Sequence, residues 1–425
     1  MINCFIPFLS LPQARQTVRA LGLCDRIKNI YLLATEKIPD EVEGCEMLMI
    51  DSPASTATFR TIALHADTAY TLLYTKYTAF EPGQFAFERL LAIAGDTNAG
   101  MLYADRYLLK NGNSQQAPVI DYQKGSLRDD FDFGSLLFFR SSVLKQAVRA
   151  MDADYRFAGL YDLRLRVSEL AELVHVNEYL YSEVETDIRK SGEKLFDYVD
   201  PKNRAVQIEM EAVCTAYLKR VGGYLAPDFE PVTFDAGGFE QEASVIIPVR
   251  NRIRTIEDAI RSVLAQKTTF RFNLIIVDNH STDGTSEAIE KYTADGRVVH
   301  LVPERSDLGI GGCWNVGVHH PACGKFAVQL DSDDVYSGPD TLQKIVDAFY
   351  EQNCAMVVGT YRMTDFKMNE IPPGIIDHRE WTLENGRNNA LRINGLGAPR
   401  AFYTPVLRRI NLPNTSYGED YALGL

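Results

Sequence analysis

The second half of the chain opens on a short apolar run, ASVIIPV (243–249), followed by RNRIRTIEDAIRSVLAQ, in which Ile256, Ile260, Val263 and Leu264 recur at helical spacing. NLIIVDN is a second apolar strand ending in an acid, STDGTSEAIEKYTAD a capped helix, and RVVHLVP a third strand. GGCWNVGVHHP then reads as a helical turn region and KFAVQLD as a fourth strand ending in acids. Strands alternating with helices predict an α/β fold, a mostly parallel sheet with helices on both faces. Such sheets bind ligands beyond the carboxyl ends of their strands, where Asp278 and Asp331 both stand.

The same pattern runs through the first half. CFIPF parallels VIIPV, with Pro7 opposite Pro248, and IYLLAT parallels LIIVDN. TAYTLLYTKYTAFEPGQFAFERLLAIA parallels KFAVQLDSDDVYSGPDTLQKIVDAFYE, and GLYDLRLRVSE falls where GEDYALGL falls. One fold used twice is the expectation. Ala34 then stands opposite Asp278; Tyr74, Lys76 and Tyr77 stand opposite Asp331, Asp333 and Asp334; Tyr161 stands opposite Glu419, and Asp162 matches Asp420. The first half keeps the apolar frame and lacks nearly every acid. Between the halves, DPKNRAVQIEMEAVCTAYLKRVGG reads as a helix opened by Asp200 and Pro201 and closed by Gly222 and Gly223, with one apolar face. Residues 225–243 collect proline, glycine and acids without periodicity, as a linker does. The predicted domains are 1–198, a connecting helix and linker over 199–242, and 243–425.

Composition narrows the function classes. The 425 residues, 46% hydrophobic and 24% charged, describe a folded protein of two or three domains at about 150 residues each. The net charge of -13 has the wrong sign for a nucleic-acid partner. Seven cysteines, odd in number and mostly in apolar runs, fit reduced thiols and a cytoplasmic location. MINCFIPFLSLPQARQ lacks a basic start and is broken by Pro7 and Pro12, so it predicts neither a signal peptide nor a membrane span. No later segment holds the roughly eighteen apolar residues of a transmembrane helix, so any membrane contact is expected to be peripheral, on the inner face.

Three carboxylates in DSDD, Asp331, Asp333 and Asp334, repel one another unless a cation neutralises them. Mg²⁺ or Mn²⁺ sharing a diphosphate's oxygens is one answer, and a solvated acidic turn is the other. Asp278 can accept a hydrogen bond from a ring N–H such as that of uracil, while Ser281 and Asp283 read as turn and cap residues. Cys313, His319, His320 and Cys323 are four ligand types for zinc in an unusual spacing, or else core cysteines with helix-end histidines. Arg400, Phe402 and Tyr403 in GLGAPRAFYTP either bind a sugar or anionic acceptor or lead into a buried strand. No dinucleotide G-x-G-x-x-G, Walker loop or nucleophile elbow is in place, which leaves oxidoreductase, kinase and serine hydrolase unsupported.

Taken together, VIIPVRN, the S-V-L-A-Q helix, LIIVDNHSTDGT, the G-x-x-x-x-x-N-x-G stretch from Gly311 to Gly317, QLDSDD and the terminal GED resemble the family 2 glycosyltransferases over Ala243 to Leu425. The resemblance implies a GT-A fold, with a degenerate GT-A-like copy in the first half. It implies a nucleotide-sugar donor, favoured as a UDP-sugar, a Mg²⁺ or Mn²⁺ ion, and inverting transfer to a hydroxyl of a glycan, lipid-linked or other acceptor. By motif position, Pro248, Val249 and Asn251 line the nucleotide pocket, Asp278 holds the base, Asp331 and Ser332 face the ribose or sugar, and Asp333 binds the metal. The general base falls to Asp420, with Glu419 orienting it or sharing the task; a helix N-terminal acid placed for the dipole is the alternative. Many relatives carry a basic residue where this chain has Trp314, which leaves the diphosphate's charge to the metal or to Arg250, Arg252 or Arg305. The ending at Leu425 reads as a truncation or a missing acceptor lid. A nucleotidyltransferase and a non-catalytic carbohydrate-binding or scaffold subunit remain as alternatives.

Overall fold

The computed structural model describes residues 1–37, 41–110, 112–184, 203–235, 237–378, 381–393 and 396–425. They form two units, residues 1–224 with 391–393 and residues 225–390 with 394–425. In the first lie β1 (Ile2–Pro7), β2 (Ile27–Ala34), β3 (Glu46–Met49), β4 (Tyr70–Tyr74), β5 (Phe80–Pro82), β6 (Met101–Lys110), β7 (Asn113–Ala117), β8 (Leu136–Arg140) and β9 (Leu173–Val184). In the second lie β10 (Ala243–Val249), β11 (Phe272–Asp278), β12 (Val298–Leu301), β13 (Phe326–Gln329), β14 (Met356–Val358), β15 (Tyr361–Thr364), β16 (Glu370–Ile376) and β17 (Arg400–Tyr403).

The second sheet runs β12-β11-β10-β13-β17-β14, its first four strands parallel and β17 antiparallel to both neighbours. Alternate residues feed two cores. Val245, Ile247, Leu274, Ile276, Phe326 and Val328 face one, and Ile246, Ile275, Val277 and Ala327 the other. A strand buried on both faces reads as an unbroken apolar run, which is why these strands are visible in the sequence. The small β15–β16 hairpin stands apart as its own sheet.

The first sheet runs β3-β2-β1-β4-β8-β6-β9-β5, with β7 on β6; β3, β2, β1 and β4 are parallel and β8 is antiparallel to both neighbours. Through the fifth strand, order and direction match those of the second sheet. Even the turn into the next helix repeats: Ser141 N donates to Ala69 O and Thr404 N to Lys325 O, each at 3.0 Å. Superposing Pro7 on Pro248 puts Ala34 at the place of Asp278, as the sequence alignment has it. At the fourth strand the alignment is one residue out. The ladders set Leu73 at the place of Gln329, hence Thr75 at Asp331, Lys76 at Ser332 and Tyr77 at Asp333. Both segments are apolar on both faces, so hydrophobic pattern cannot fix their register.

Domain limits differ from those expected. The helix Arg204–Val221 belongs to the first unit, where Val213, Cys214, Tyr217 and Leu218 pack with Tyr161 and Leu165. Gly222 caps it at φ 76°, while Ile208 and Val221 of the expected apolar face are exposed. Asp200 and Pro201 lie outside the described residues. The expected linker is part of the second unit: Val232 N donates to Asn353 O, and the Phe234 ring packs edge-on against Phe326, Tyr350 and Tyr403. Among the described residues, no helix is long and apolar enough to cross a membrane.

Candidate active site

The second unit's acids follow directly on β13. Asp334 N donates to Asp331 O, closing a turn that buries Ser332 and leaves Asp331, Asp333 and Asp334 with surface open to solvent. Protein still crowds two of them from behind, the geometry of a crevice wall. Burial pushes the Asp331 carboxyl up, opposed by Arg400 and reinforced by Asp333 and Asp420. Burial with the charges of Asp331 and Asp333 takes Asp334 to about 6. An acid raised on folding costs nothing while both states are protonated, and its cost grows as pH climbs from about 4 to about 6. Asp334→Asn is therefore expected to stabilise the protein at pH 8 by about 1 kcal/mol, allowing for solvent screening, and to leave it unchanged at pH 3.5. Urea unfolding of the two proteins at both pH values measures the difference.

Arg400 organises the other wall. It is buried at the start of β17 and donates through Nε to Gln329 Oε1 (2.6 Å), the last residue of β13. Its Nη1 donates to Leu396 O (2.8 Å) and to Asp420 Oδ2 (2.6 Å). One guanidinium thus links the strand that carries the acids to the helix Glu419–Gly424 that carries the base candidate. Asp420 stays partly exposed, whereas Glu419 is buried against Gly311, and burial together with Asp420 raises its carboxyl. Arg400 is therefore spent inside the protein and does not face an acceptor. Phe402 and Tyr403 are core residues of β17, the second of the two readings their sequence allowed.

The ends of β10 and β11 meet beside these acids. Asp278 is fully buried, accepting from Ser281 N (3.0 Å) and Ser286 Oγ, with His300 Nε2 at 3.5 Å. Burial pushes its carboxyl up, but the hydrogen bonds from Ser281 and Ser286 and the nearby His300 outweigh it and hold the group low. A nucleobase reaches Asp278 only if the 281–286 turn moves, a departure from the open carboxylate the sequence suggested. Asn251, at φ 56°, accepts from Thr282 N (2.8 Å) and pins that turn. The Val249 side chain points into the core, which leaves its backbone beside Pro248 at the strand end. Arg252 reaches across, its Nε 3.8 Å from Asp333 Oδ2.

The glycine-rich helix Ile310–His319 ties these parts together. A Cβ on Gly317 would lie 2.6 Å from Ile246, and one on Gly311 would overlap Pro413 O. Asn315 clasps Leu412 with both ends of its amide, Nδ2 donating to Leu412 O (2.7 Å) and Oδ1 accepting from Leu412 N (3.0 Å), and Gly311 N donates to Thr415 O. The loop 412–415 leads straight into Glu419 and Asp420.

The donor set suits a hard divalent cation. Among the described residues, the one trio of His, Cys, Asp or Glu ligand atoms within 4.8 Å of one another is Cys24, Asp25 and Glu88, so the crevice acids form no closed cage. One or two open carboxylates are what an ion shared with a diphosphate requires. The zinc grouping does not assemble: Cys313 and Cys323 are buried, His319 bonds Asn411 and His320 accepts from Ala322 N. Trp314 is buried among apolar side chains. Sequence reasoning missed the work of Gln329 and Arg400, whose partnership spans 71 positions and leaves no local signal.

The Glycosyl transferase family 2 model matches residues 244–409. Over 120 residues the chain is 33% identical to "Putative teichuronic acid biosynthesis glycosyltransferase TuaG" of Bacillus subtilis, covering 28% of this chain and 46% of that one. It is 38% identical over 97 residues to an uncharacterized glycosyltransferase of Rickettsia conorii, covering 23% and 15%. The chain thus spans less than half the length of these relatives. Among solved structures, S. aureus TarS 1-349 in complex with UDP-GlcNAc aligns at 24% identity and a TM-score of 0.36, covering 43% of this chain and 52% of that one. The stretch that resembles the family 2 glycosyltransferases, residues 244–409, lies in the second unit.

Proposed function

We propose that the second unit is the catalytic domain of an inverting glycosyltransferase that moves a sugar from a nucleoside-diphosphate donor, favoured as a UDP-sugar, to an acceptor hydroxyl. One observation carries it: the strand that bears the acids and the base candidate in the first turn of the last helix are joined by Arg400 in one crevice, in the unit that holds the family match. Asp331 and Ser332 face the ribose or sugar, and Pro248, the Val249 backbone and Asn251 border the nucleotide. Asp278 shapes the base pocket from behind, by holding the 281–286 turn. Charge compensation for the diphosphate is what Mg²⁺ or Mn²⁺ at Asp333 supplies when bound.

Asp420, oriented by Arg400, takes the acceptor hydroxyl's proton as that oxygen bonds to the anomeric carbon. The bond from that carbon to the diphosphate breaks on the opposite face, so a single displacement inverts the configuration. The name of one relative, a teichuronic acid biosynthesis glycosyltransferase, supports a polymer or glycoconjugate acceptor. The first unit, with the same strand order and without the acids, is a degenerate copy that does not turn over. Its Lys76 is neutralised internally by buried Glu183, which also receives Arg106 and Ser135.

Calorimetric titration of UDP with and without Mn²⁺ tests the donor assignment. Metal-dependent binding that survives Tyr77→Ala, the first-unit counterpart of Asp333, is the expected outcome. Incubation with UDP-sugars should then release UDP. Release of pyrophosphate would instead mark a nucleotidyltransferase, and no binding of any nucleotide would favour a scaffold subunit.

A further inference from the structure

With Trp314 buried, the donor's diphosphate lacks the basic residue that the resemblance places beside it, and the second unit offers four arginines as candidates to replace it. Arg400 is committed to Gln329, Leu396 and Asp420. Arg305 is paired through two hydrogen bonds with Asp307, 2.7 and 2.9 Å long. Arg250 is exposed and makes no ion pair with a described residue. Arg252 alone among the four approaches Asp333 within ion-pair distance, and its root is fixed: its N donates to Thr285 Oγ1 (2.8 Å), and its O accepts from Thr255 N and Ile256 N. Its head is loose, half exposed, with a 3.4 Å bond to Asn251 O and the 3.8 Å approach to Asp333. That approach is longer than the ~2.7–2.9 Å of a charge-assisted hydrogen bond, so the pair exchanges easily.

Building on the donor site proposed above, we propose that Arg252 serves Asp333 as a resident counter-ion and, once a divalent cation takes that carboxylate, turns its guanidinium to the donor's diphosphate. Two cations compete for one carboxylate, so the guanidinium is displaced as the metal binds. A fixed root keeps it at the mouth, where the diphosphate brings new negative charge. A guanidinium's planar fork matches phosphate oxygens in pairs, which an ammonium does not do.

The consequence is a pair of effects of opposite sign. Arg252→Ala removes the metal's competitor, so Mn²⁺ alone should bind about threefold more tightly, the scale of an exposed ion pair. With Mn²⁺ saturating, the same variant should bind UDP about tenfold more weakly, the loss of a charge-assisted contact. Arg252→Lys should keep the wild-type Mn²⁺ affinity and recover only part of the UDP affinity, and Arg250→Ala should leave Mn²⁺ binding unchanged.

The experiment is calorimetric titration of the full chain with Mn²⁺ alone, then with UDP, or GDP, at saturating Mn²⁺, for these variants and Asp333→Ala. Unchanged or weaker Mn²⁺ binding in Arg252→Ala, or nucleotide affinity within twofold of wild type, overturns the role of Arg252 and leaves the donor site standing. Full Mn²⁺ affinity in Asp333→Ala, or no binding of either nucleotide, overturns the donor site and the role of Arg252 with it.

Discussion

Asp420→Asn is expected to lower kcat about 10³-fold, within the range a general base contributes, while leaving the affinity for the nucleotide within about twofold. Asparagine keeps an oxygen for the Nη1 of Arg400, so the Gln329–Arg400 link and the helix it anchors should survive. The two roles open to this acid, proton acceptor and helix-terminal carboxylate, separate cleanly here. A proton acceptor leaves a pH–rate profile whose acidic limb disappears in the variant; a helix-capping acid leaves a loss of stability with kcat within about threefold of wild type. Initial rates with a UDP-sugar from pH 5 to 9, alongside urea unfolding, supply both. Glu419→Gln should cost about tenfold at most, since Glu419 is buried against Gly311 and reaches the reaction only through its neighbour.

Asp333→Ala is expected to abolish metal-dependent donor binding, raising the Kd for UDP at saturating Mn²⁺ by about 10³-fold, the several kcal/mol a bound ion contributes to a phosphoryl oxygen. The residue is half exposed and takes part in no hydrogen bond among the described residues, so the fold has little reason to suffer. Melting temperatures should stay close to wild type, or rise slightly as repulsion on Asp334 is relieved. Equal UDP affinity with and without Mn²⁺ in the wild-type protein would remove Asp333 from the donor site.

Much of the frame is legible in the sequence for one physical reason: the central strands of each sheet are buried on both faces and so appear as apolar runs. The same uniformity hides register, which is why apolar pattern alone sets Tyr74 opposite Asp331 when the ladder puts Thr75 there. The hairpin from Tyr361 to Ile376 carries two prolines and exposed apolar residues, and shows no strand pattern. The crevice acids are visible because like charges cluster on a strand end. The buried state of Asp278 is not, because it depends on Ser281 and Ser286 folding back over it. Nor is the bond that orients Asp420, since Gln329, Arg400 and Asp420 meet only in three dimensions.

The clasp between the helix Ile310–His319 and the loop 412–415 is made largely of the loop's backbone groups and of glycine faces that admit no side chain. Its contacts therefore read the loop's path more than its spelling. The exposed side chains at 413 and 415 should be open to wide replacement, whereas a single methyl on Gly311 should not be accepted. For anyone recombining this domain with a relative, the workable crossover points lie outside the pair: a donor half cut between residues 309 and 412 would part the base from the surface that holds it, and the two pieces must be exchanged together.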